Sequence, residues 1–374
     1  HIWTEMVVDQ AIIHNQEGVL GPAQQYEHPI TVQLGGSNEI LLAQAARICE
    51  QLGYDEINLN VGCPSPKVVN KKDLGLCFGA RLMLDPPLVS RLIKAIRDAV
   101  SIPVTVKCRI GVDKNDSYED FRGFVTTVME AAGSRAHFVV HARTAWLKGL
   151  SAHENRMIPP LKYSLVHRLK AEFPELQISI NGGINSWEEV EEQLSHVDGV
   201  MIGRQAYKNP WMLAEADSRL YAACSPATSR RQVIEQYAQY AERELDSEAE
   251  KGKDARSLVI TAATMLKPIA GVLFAVRGER RFRKHLDNFI IQWRKDAKEA
   301  VGDPSDWTRW RPPIRSVVLE GLERHVSQRE LDEPPPSRHL QKESKQLETQ
   351  PNIVEAESVG VTFGQLYISK DEEQ

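Results

Sequence analysis

The sequence has few cysteines and no long apolar run. Its five cysteines are scattered and form no C-x-x-C pair, which argues against a zinc site or a disulfide framework and favours a reducing compartment. No run of eighteen apolar residues is present, so we expect no membrane span. We therefore expect a cytoplasmic or organellar protein without a metal. The chain begins at His1, so the sequence does not allow a targeting peptide to be judged.

Charge is spread unevenly, although the net charge is only -5. Residues 251–315 contain fifteen basic and seven acidic residues, whereas residues 330–374 contain four basic and ten acidic ones. A basic module of this kind fits a protein that binds a polyanion, but it is equally typical of a solvated helix face. The acidic, polar composition of residues 327–374 predicts a disordered tail.

Strand and helix patterns alternate over the first two hundred residues. Strands are predicted at residues 3–8, 30–35, 56–62, 104–110, 138–142, 178–181 and 200–203. Amphipathic helices are predicted between them at residues 39–52, 87–100, 118–132, 164–173 and 186–194. This α/β pattern predicts a (β/α)8 TIM barrel with the first strand missing from this chain. We expect a barrel domain at residues 1–217, a smaller all-helical domain at 218–326, and the tail at 327–374.

Polar side chains and glycines stand at the ends of six consecutive predicted strands. In strand order these are Gln33, Asn60 with Cys63, Lys107 with Arg109, His141 with Arg143, Asn181 with Gly182 and Gly183, and Gly203 with Arg204. The active site of such a barrel lies at the carboxyl face, so we expect these residues to share a pocket. A lone cysteine before a proline is more typical of a buried structural thiol. The polar neighbours are what favour a functional role for Cys63.

The last two strand ends predict a phosphate site. Glycines at 182, 183 and 203 let backbone N–H groups approach phosphate oxygens, and barrels often hold a phosphate after their last two strands. Arg204 adds a charge-assisted contact.

Four motifs, in this order, resemble those of the tRNA-dihydrouridine synthases. They are residues 58–65 (NLNVGCPS), 104–111 (VTVKCRIG), 141–143 (HAR) and 181–184 (NGGI). Residues 146–151 (WLKGLS), followed by 154–156 (ENR) and 158–161 (IPPL), are similar to the A-type branch of that family. The resemblance covers residues 3–217 closely and residues 266–286 more loosely.

The resemblance implies a flavoenzyme that holds FMN at the barrel mouth, uses NADPH as reductant, and reduces uridine to 5,6-dihydrouridine in the D-loop of tRNA. It implies that Cys63 is the proton donor and that Asn60 hydrogen-bonds the uracil. The residues implied to bind FMN are Gln33, Lys107, His141, Asn181, Gly182, Gly183, Gly203 and Arg204. The residues expected to contact the tRNA substrate are Arg109, Arg143, Lys148, Arg156, Arg280 and Arg283. We expect the protein to act as a monomer.

The proposed chemistry is consistent with a cysteine. Reduction of the uracil double bond needs a hydride on carbon 6 and a proton on carbon 5. A free cysteine has a pKa of about 8.5, so a thiol carries its proton at neutral pH and can act as a general acid.

Two other functions stay open at this point. A flavoprotein that reduces a free pyrimidine would need no basic helical module, so a tRNA-binding assay separates it from the first hypothesis. A non-catalytic tRNA-binding remnant fits the missing first strand, and it would not be yellow.

Overall fold

The structure is a computed structural model that describes residues 1–15, 19–23, 27–65, 78–133, 136–221, 223–299, 311–335 and 365–369. Its chain divides into two compact units, residues 1–204 with 364–374, and residues 205–363. Within the described residues no helix is long and apolar enough to span a bilayer.

The first unit is a closed barrel built on seven parallel strands. These are β1 (Ile2–Val8), β2 (Ile30–Gly35), β3 (Glu56–Val61), β4 (Val104–Arg109), β5 (His137–His141), β6 (Gln177–Asn181) and β7 (Gly199–Ile202). Each strand pairs with the next in parallel. An eighth strand, β8 (Gln365–Ser369), pairs antiparallel with both β1 and β7 and closes the barrel. The predicted barrel class and its seven strands are confirmed.

Helices follow the strands on the outside of the barrel. They are α1 (Asp9–His14), α2 (Glu39–Gln51), α3 (Pro86–Arg97), α4 (Tyr118–Ala132), α5 (Tyr163–Glu172) and α6 (Trp187–Leu194). Local sequence sets where several begin. Ser117 and Ser186 each form a capping box with the acidic residue three positions on, which satisfies backbone N–H groups in the first turn of α4 and of α6. The predicted helices are confirmed, with ends that differ by a few residues.

Apolar and polar residues alternate along β3, and the two sets face different surroundings. Ile57, Leu59 and Val61 are fully buried in the apolar core. The alternate residues Asn58 and Asn60 hydrogen-bond to side chains of the neighbouring strands β2 and β4. Since successive side chains of a strand point to opposite faces, this alternation gives the barrel a polar interior.

The second unit consists of helices. They are α8 (Ala216–Leu220), α9 (Arg230–Glu250), α10 (Ala255–Val272), α11 (Glu279–Glu299), α12 (Ile314–His325) and α13 (Gln328–Asp332), while the short α7 (Arg204–Lys208) spans the division between the units. Phe282 and Leu322 are fully buried in its core. Gly321 permits close packing of α12 on α11, because a Cβ there would lie 2.7 Å from the ring of His285.

The structure differs from the predicted domain limits in two places. The division falls after Arg204 rather than after residue 217, because Trp211 packs into the core of the helical unit. The predicted tail contains α13, whose Leu331 is fully buried in the same core, and β8. Residues 336–364 and 370–374 of the predicted tail lie outside the described residues.

Candidate active site

The polar strand ends do meet at one face of the barrel. Strand register places Asn60 beside Lys107 on the neighbouring strand. It also places His141 between Arg109 on one side and Asn181 on the other. The side chains predicted to form one pocket therefore come from adjacent strands at the same carboxyl edge.

The loop that carries Cys63 (residues 62–65, the Cys63 loop) is held by three hydrogen bonds, two to Asn60 and one from Ala80. Asn60 Oδ1 accepts from the backbone N–H of Gly62 at 3.1 Å and of Cys63 at 2.9 Å. The N–H of Ala80 donates to the carbonyl oxygen of Cys63 at 2.8 Å. Cys63 itself is a free, half-buried thiol. The structure therefore presents this thiol on a restrained loop rather than in the core.

Arg109 ties the Cys63 loop to the segment after β5. Its Nε donates to the carbonyl oxygen of Gly62 at 3.2 Å, and its Nη1 donates to the carbonyl oxygen of Asn155 at 3.1 Å. Burial lowers the pKa of Arg109 to about 10, and the charges of Arg143 and Arg156 contribute to the decrease. The sequence predicted a substrate contact for Arg109, which stays a prediction. The contacts in the structure are to these two loops.

Lys107 reaches across the barrel mouth to β6. Its Nζ donates to Asn181 Oδ1 at 3.2 Å, and Asn181 Nδ2 donates in turn to the carbonyl oxygen of Met201 at 2.8 Å. Burial, with a smaller contribution from the charge of Arg109, lowers the pKa of Lys107 to about 8. An ammonium held this way is destabilised until a negative charge comes close to it.

The mouth carries a concentration of positive charge around a neutral imidazole. The pKa of His141 lies well below its usual value because the ring is buried, and the cations around it add to the effect. Those cations are Arg109, Lys107, Arg143 and Arg204. Four cations around one neutral ring favour the binding of an anion.

Two guanidinium groups at the mouth each have a buried N–H donor without a hydrogen-bond partner among the described residues. These donors are the Nε atoms of Arg143 and Arg156. Arg143 Nη1 donates to the carbonyl oxygen of Met157 at 3.3 Å, and Arg204 Nη2 donates to that of Arg156 at 3.3 Å. Lys148 is exposed on the same loop. A buried N–H without a partner is costly, and an anionic ligand would satisfy it.

The glycines after β6 and β7 differ in what surrounds them. Gly182 has φ +110° and Gly183 has φ +79°, and a Cβ on Gly182 would lie 2.3 Å from His141 Cδ2. Tyr163 donates its hydroxyl hydrogen to the carbonyl oxygen of Gly182. A Cβ on Gly203, in contrast, would meet no protein atom within 4 Å. The backbone conformation at positions 182 and 183 thus requires glycine, whereas Gly203 borders open space.

Gln33, predicted to bind FMN, lies in the same polar interior. Its Oε1 accepts from Asn60 Nδ2 at 2.7 Å, and its Nε2 donates to Asn58 Oδ1 at 2.9 Å. Asn58 and its partner Thr105 were missed in the sequence as site residues. The alternation of polar residues at positions 56, 58 and 60 of β3 is the signal that points to them.

The predicted tRNA contacts Arg280 and Arg283 lie in the helical unit, on α11. Both are exposed, and the apolar side of the helix, with Phe282, packs into the core of that unit. Arg283 forms an ion pair with Glu279, with Nη2 to Oε1 at 2.6 Å. Part of its charge is therefore neutralised within the helix.

The fold is an α/β barrel whose cationic mouth suits an anionic ligand, and comparison with known proteins identifies its family. A model of the dihydrouridine synthase family (Dus) matches residues 1–299, so the chain belongs to that family. The family's enzymes are FMN-dependent oxidoreductases that use NADPH to reduce uridine in tRNA.

Its relatives include tRNA-dihydrouridine(20/20a) synthases from several bacteria. The chain is 45% identical to that of Vibrio cholerae over 285 residues, which is 76% of this chain and 82% of the relative. It is 46% identical to that of Escherichia coli K12 over 285 residues, covering 76% and 77% of the two chains. It is 50% identical to that of Shewanella oneidensis over 244 residues, covering 65% and 70%.

Proposed function

We propose that this protein reduces uridine at positions 20 and 20a of the tRNA D-loop, and that Cys63 donates the proton. The observation that carries the proposal is the Cys63 loop, which presents a free thiol at the barrel mouth beside a cluster of cations. The two positions are those of the relatives, which are tRNA-dihydrouridine(20/20a) synthases.

The residues at the mouth fit FMN. The converging cations suit a phosphate, and the space beside Gly203 admits a ligand. We assign the binding of FMN to Gln33, Lys107, His141, Asn181, Gly182, Gly183, Gly203 and Arg204. FMN held by these residues would, once reduced by NADPH, supply the hydride for carbon 6 of the uracil ring.

Cys63 completes the reduction by giving its Sγ proton to carbon 5. The new C–H bond forms as the S–H bond breaks, and the thiolate that is left recovers its proton from solvent. Lys107 and Arg109 lie close enough to Cys63 for their charges to interact with it. Two nearby cations stabilise the thiolate that the reaction produces. Asn60 keeps one amide hydrogen that its contacts with Gln33 and the Cys63 loop do not use, and we assign it to the uracil.

We divide the binding of tRNA between the rim of the barrel and the helical unit. Arg143, Lys148 and Arg156 would contact the RNA around the reacting base, and Arg280 and Arg283 would contact phosphates elsewhere. A base within a folded RNA must leave its stack to reach such a pocket. We further propose that the protein acts as a monomer. We also propose a reducing compartment, which suits the described cysteines because all of them are free.

Cys63→Ala tests the proposal directly. We expect the variant to retain FMN and to be reduced by NADPH at the wild-type rate. Oxidation of the reduced enzyme by tRNA should be slower by about 10²–10⁴-fold, the usual contribution of a general acid. Stopped-flow absorbance of the flavin measures both half-reactions. Cys224→Ala, which removes an exposed thiol in the helical unit, is the control. Wild-type turnover of tRNA by Cys63→Ala would make Cys63 a structural thiol and end the proposed mechanism.

A further inference from the structure

A buried acid lies inside the barrel at the end opposite the mouth. Glu56 is the first residue of β3 and is 8% exposed. Its Oε1 accepts two hydrogen bonds, from Thr31 Oγ1 at 3.1 Å and from Thr105 Oγ1 at 2.9 Å. No salt bridge to it is found among the described residues. Burial raises the pKa of Glu56 to about 7, against the lowering effect of the two hydroxyl groups. Glu56 takes no part in the proposed reduction of uridine.

Hydrogen bonds between side chains connect Glu56 to the Cys63 loop. From the acid upward, the links are Thr105 Oγ1 to Glu56 Oε1 at 2.9 Å, Asn58 Nδ2 to Thr105 Oγ1 at 2.9 Å, Gln33 Nε2 to Asn58 Oδ1 at 2.9 Å, and Asn60 Nδ2 to Gln33 Oε1 at 2.7 Å. We call these five residues the polar chain. Its upper end is Asn60 Oδ1, the acceptor for two backbone N–H groups of the Cys63 loop.

The two ends of the polar chain fix the direction of every link. At the top, a backbone N–H can only donate, so Asn60 holds the Cys63 loop only while its oxygen faces the loop and its nitrogen faces Gln33. In that orientation Gln33 must offer its oxygen to Asn60 and its nitrogen to Asn58, and Asn58 in turn must offer its oxygen to Gln33 and its nitrogen to Thr105. At the bottom, Thr105 has a single hydroxyl hydrogen and accepts from Asn58, so that hydrogen must go to Glu56. Glu56 Oε1 accepts it either as a carboxylate oxygen or as the carbonyl oxygen of the protonated acid.

We propose that Glu56 is a positioning residue for the proton donor, which acts through the polar chain to hold Asn60 and hence the Cys63 loop in the reactive arrangement. This inference rests on the proposed role of Cys63. Without an acceptor at the bottom, Thr105 has no partner for its hydrogen and is free to donate to Asn58 instead. The amide of Asn58 then turns over, and the reversal travels up through Gln33 to Asn60. An Asn60 that presents its nitrogen to two backbone N–H groups no longer holds the loop.

The physical basis is the cost of an unpaired polar group in a buried site. Each link removed leaves a buried amide or hydroxyl without its partner, which is unfavourable. Linked hydrogen bonds also polarise one another, so the effect of one loss is felt along the series. Because Asn60 lies only three residues before Cys63, a turned amide at the top shifts the thiol itself. A misplacement of about 1 Å at a reacting group can cost 10²-fold in rate.

The structure offers a matched pair of substitutions at the bottom. Thr105 and Thr31 both donate to Glu56 Oε1 from neighbouring strands and both are buried. Thr105 is also a link of the polar chain, whereas the second hydrogen bond of Thr31 is to His1 Nε2, at 2.8 Å, outside the polar chain. Thr105→Val and Thr31→Val thus make the same chemical change at the same acceptor. They differ in whether the connection to Asn60 is cut.

The experiment follows flavin oxidation by tRNA in a single turnover of the reduced holoenzyme. We expect Thr105→Val to slow this step by about ten- to a hundredfold, with reduction by NADPH unchanged. Thr31→Val should lose thermal stability to a similar extent and keep the wild-type rate. Thr105→Ser, which retains a hydroxyl, should restore the rate. Glu56→Gln retains an acceptor oxygen and should stay within about threefold of wild type, while Glu56→Met should behave as Thr105→Val does.

The outcomes separate this inference from the proposed function. If Cys63→Ala is inactive but Thr105→Val and Thr31→Val oxidise at equal rates, Glu56 has no positioning role and the inference fails. If Cys63→Ala is fully active, the proposed function fails first. Thr105→Ala, which adds no volume, replaces Thr105→Val where that variant does not fold. Slowing of both half-reactions to the same extent would indicate general damage and would also overturn the inference.

Discussion

Replacement of Lys107 by methionine should stabilise the protein when FMN is absent and weaken the binding of FMN. Lys107 is held among Arg109 and the other cations of the mouth, and its one described hydrogen bond is to Asn181. Methionine fills a similar volume without a charge. The variant therefore removes an unfavourable charge from the empty site and a favourable one from the loaded site.

The size of the effect follows from the pKa of Lys107. A decrease in this pKa from 10.5 to about 8 means that the folded protein without ligand disfavours the charged form of Lys107. At pH 7 both the folded and unfolded states are protonated, and the shift corresponds to a penalty of about 3 kcal/mol. Loss of the hydrogen bond to Asn181 reduces the gain in the free energy of unfolding by about 1 kcal/mol. A net gain of about 2 kcal/mol should raise Tm by about 4–8 °C for a unit of roughly 200 residues.

The sign of the pH dependence gives a second test. The penalty is complete below the folded pKa of about 8 and disappears as the pH rises towards 10.5, where the unfolded state also loses its proton. Differential scanning fluorimetry of the flavin-free proteins at pH 7 and pH 10 should therefore show a gap that narrows at pH 10. Added FMN should raise the Tm of the variant less than that of the wild type. Equal Tm values at pH 7, or a gap independent of pH, would refute the reasoning.

Three further predictions concern other parts of the molecule. Gly182→Ala should purify with at least tenfold less flavin by absorbance, because its Cβ meets an imidazole at 2.3 Å. Gly203→Ala should leave the Tm of the flavin-free protein unchanged, because its Cβ meets no protein atom, and should weaken the binding of FMN in that open space. Arg280→Ala should weaken tRNA binding and flatten its salt dependence by about one unit per lost phosphate contact, more than Arg283→Ala, whose guanidinium already has an acidic partner. Titration of affinity against salt measures both, and an unchanged slope would move the contact elsewhere. Glu56→Gln should be more stable than wild type by about 1–3 kcal/mol at pH 8, and no more stable at pH 4, as measured by urea unfolding. Burial disfavours the carboxylate form of Glu56, and this penalty builds up between pH 4.5 and the folded pKa of about 7.

The seven parallel strands could be predicted because each is a local pattern. Apolar residues alternate or run together over four to seven positions in each, and helix caps such as Ser117 and Ser186 mark where helices begin. The strand β8 contains a short apolar run, residues 366–368, but it lies in a stretch whose polar composition predicts disorder. Its pairing with β1 joins Gln365 to Trp3, and a contact over such a separation leaves no periodic trace in the sequence. Leu331 of α13 is likewise a single apolar residue in a polar stretch, too little for a helix to be predicted.

The members of the site could be predicted, but their partners could not. Strand ends of a parallel barrel meet by geometry, so Lys107, His141 and Asn181 were expected at one mouth. Which atoms each side chain uses depends on neighbours that lie far away in the sequence. Arg109 donates to the carbonyl oxygens of Gly62 and Asn155, which are contacts that the spacing of residues does not show. The sequence accordingly indicates candidates for catalysis, while the hydrogen-bond pattern shows which of them also hold the loops.

The charges at the two ends of the barrel favour the same direction of the polar chain. Each amide between them turns its oxygen towards the mouth, where Lys107 and Arg109 lie, and its nitrogen towards the carboxyl of Glu56. The negative end of every dipole thus faces the cations, and the positive end faces the acid. A reversed chain would place N–H groups against the cations and, at its lower end, a lone pair against the acid. The backbone donors of the Cys63 loop, the cations and Glu56 therefore select one arrangement together, and removal of the acid removes the constraint at the end farthest from the thiol.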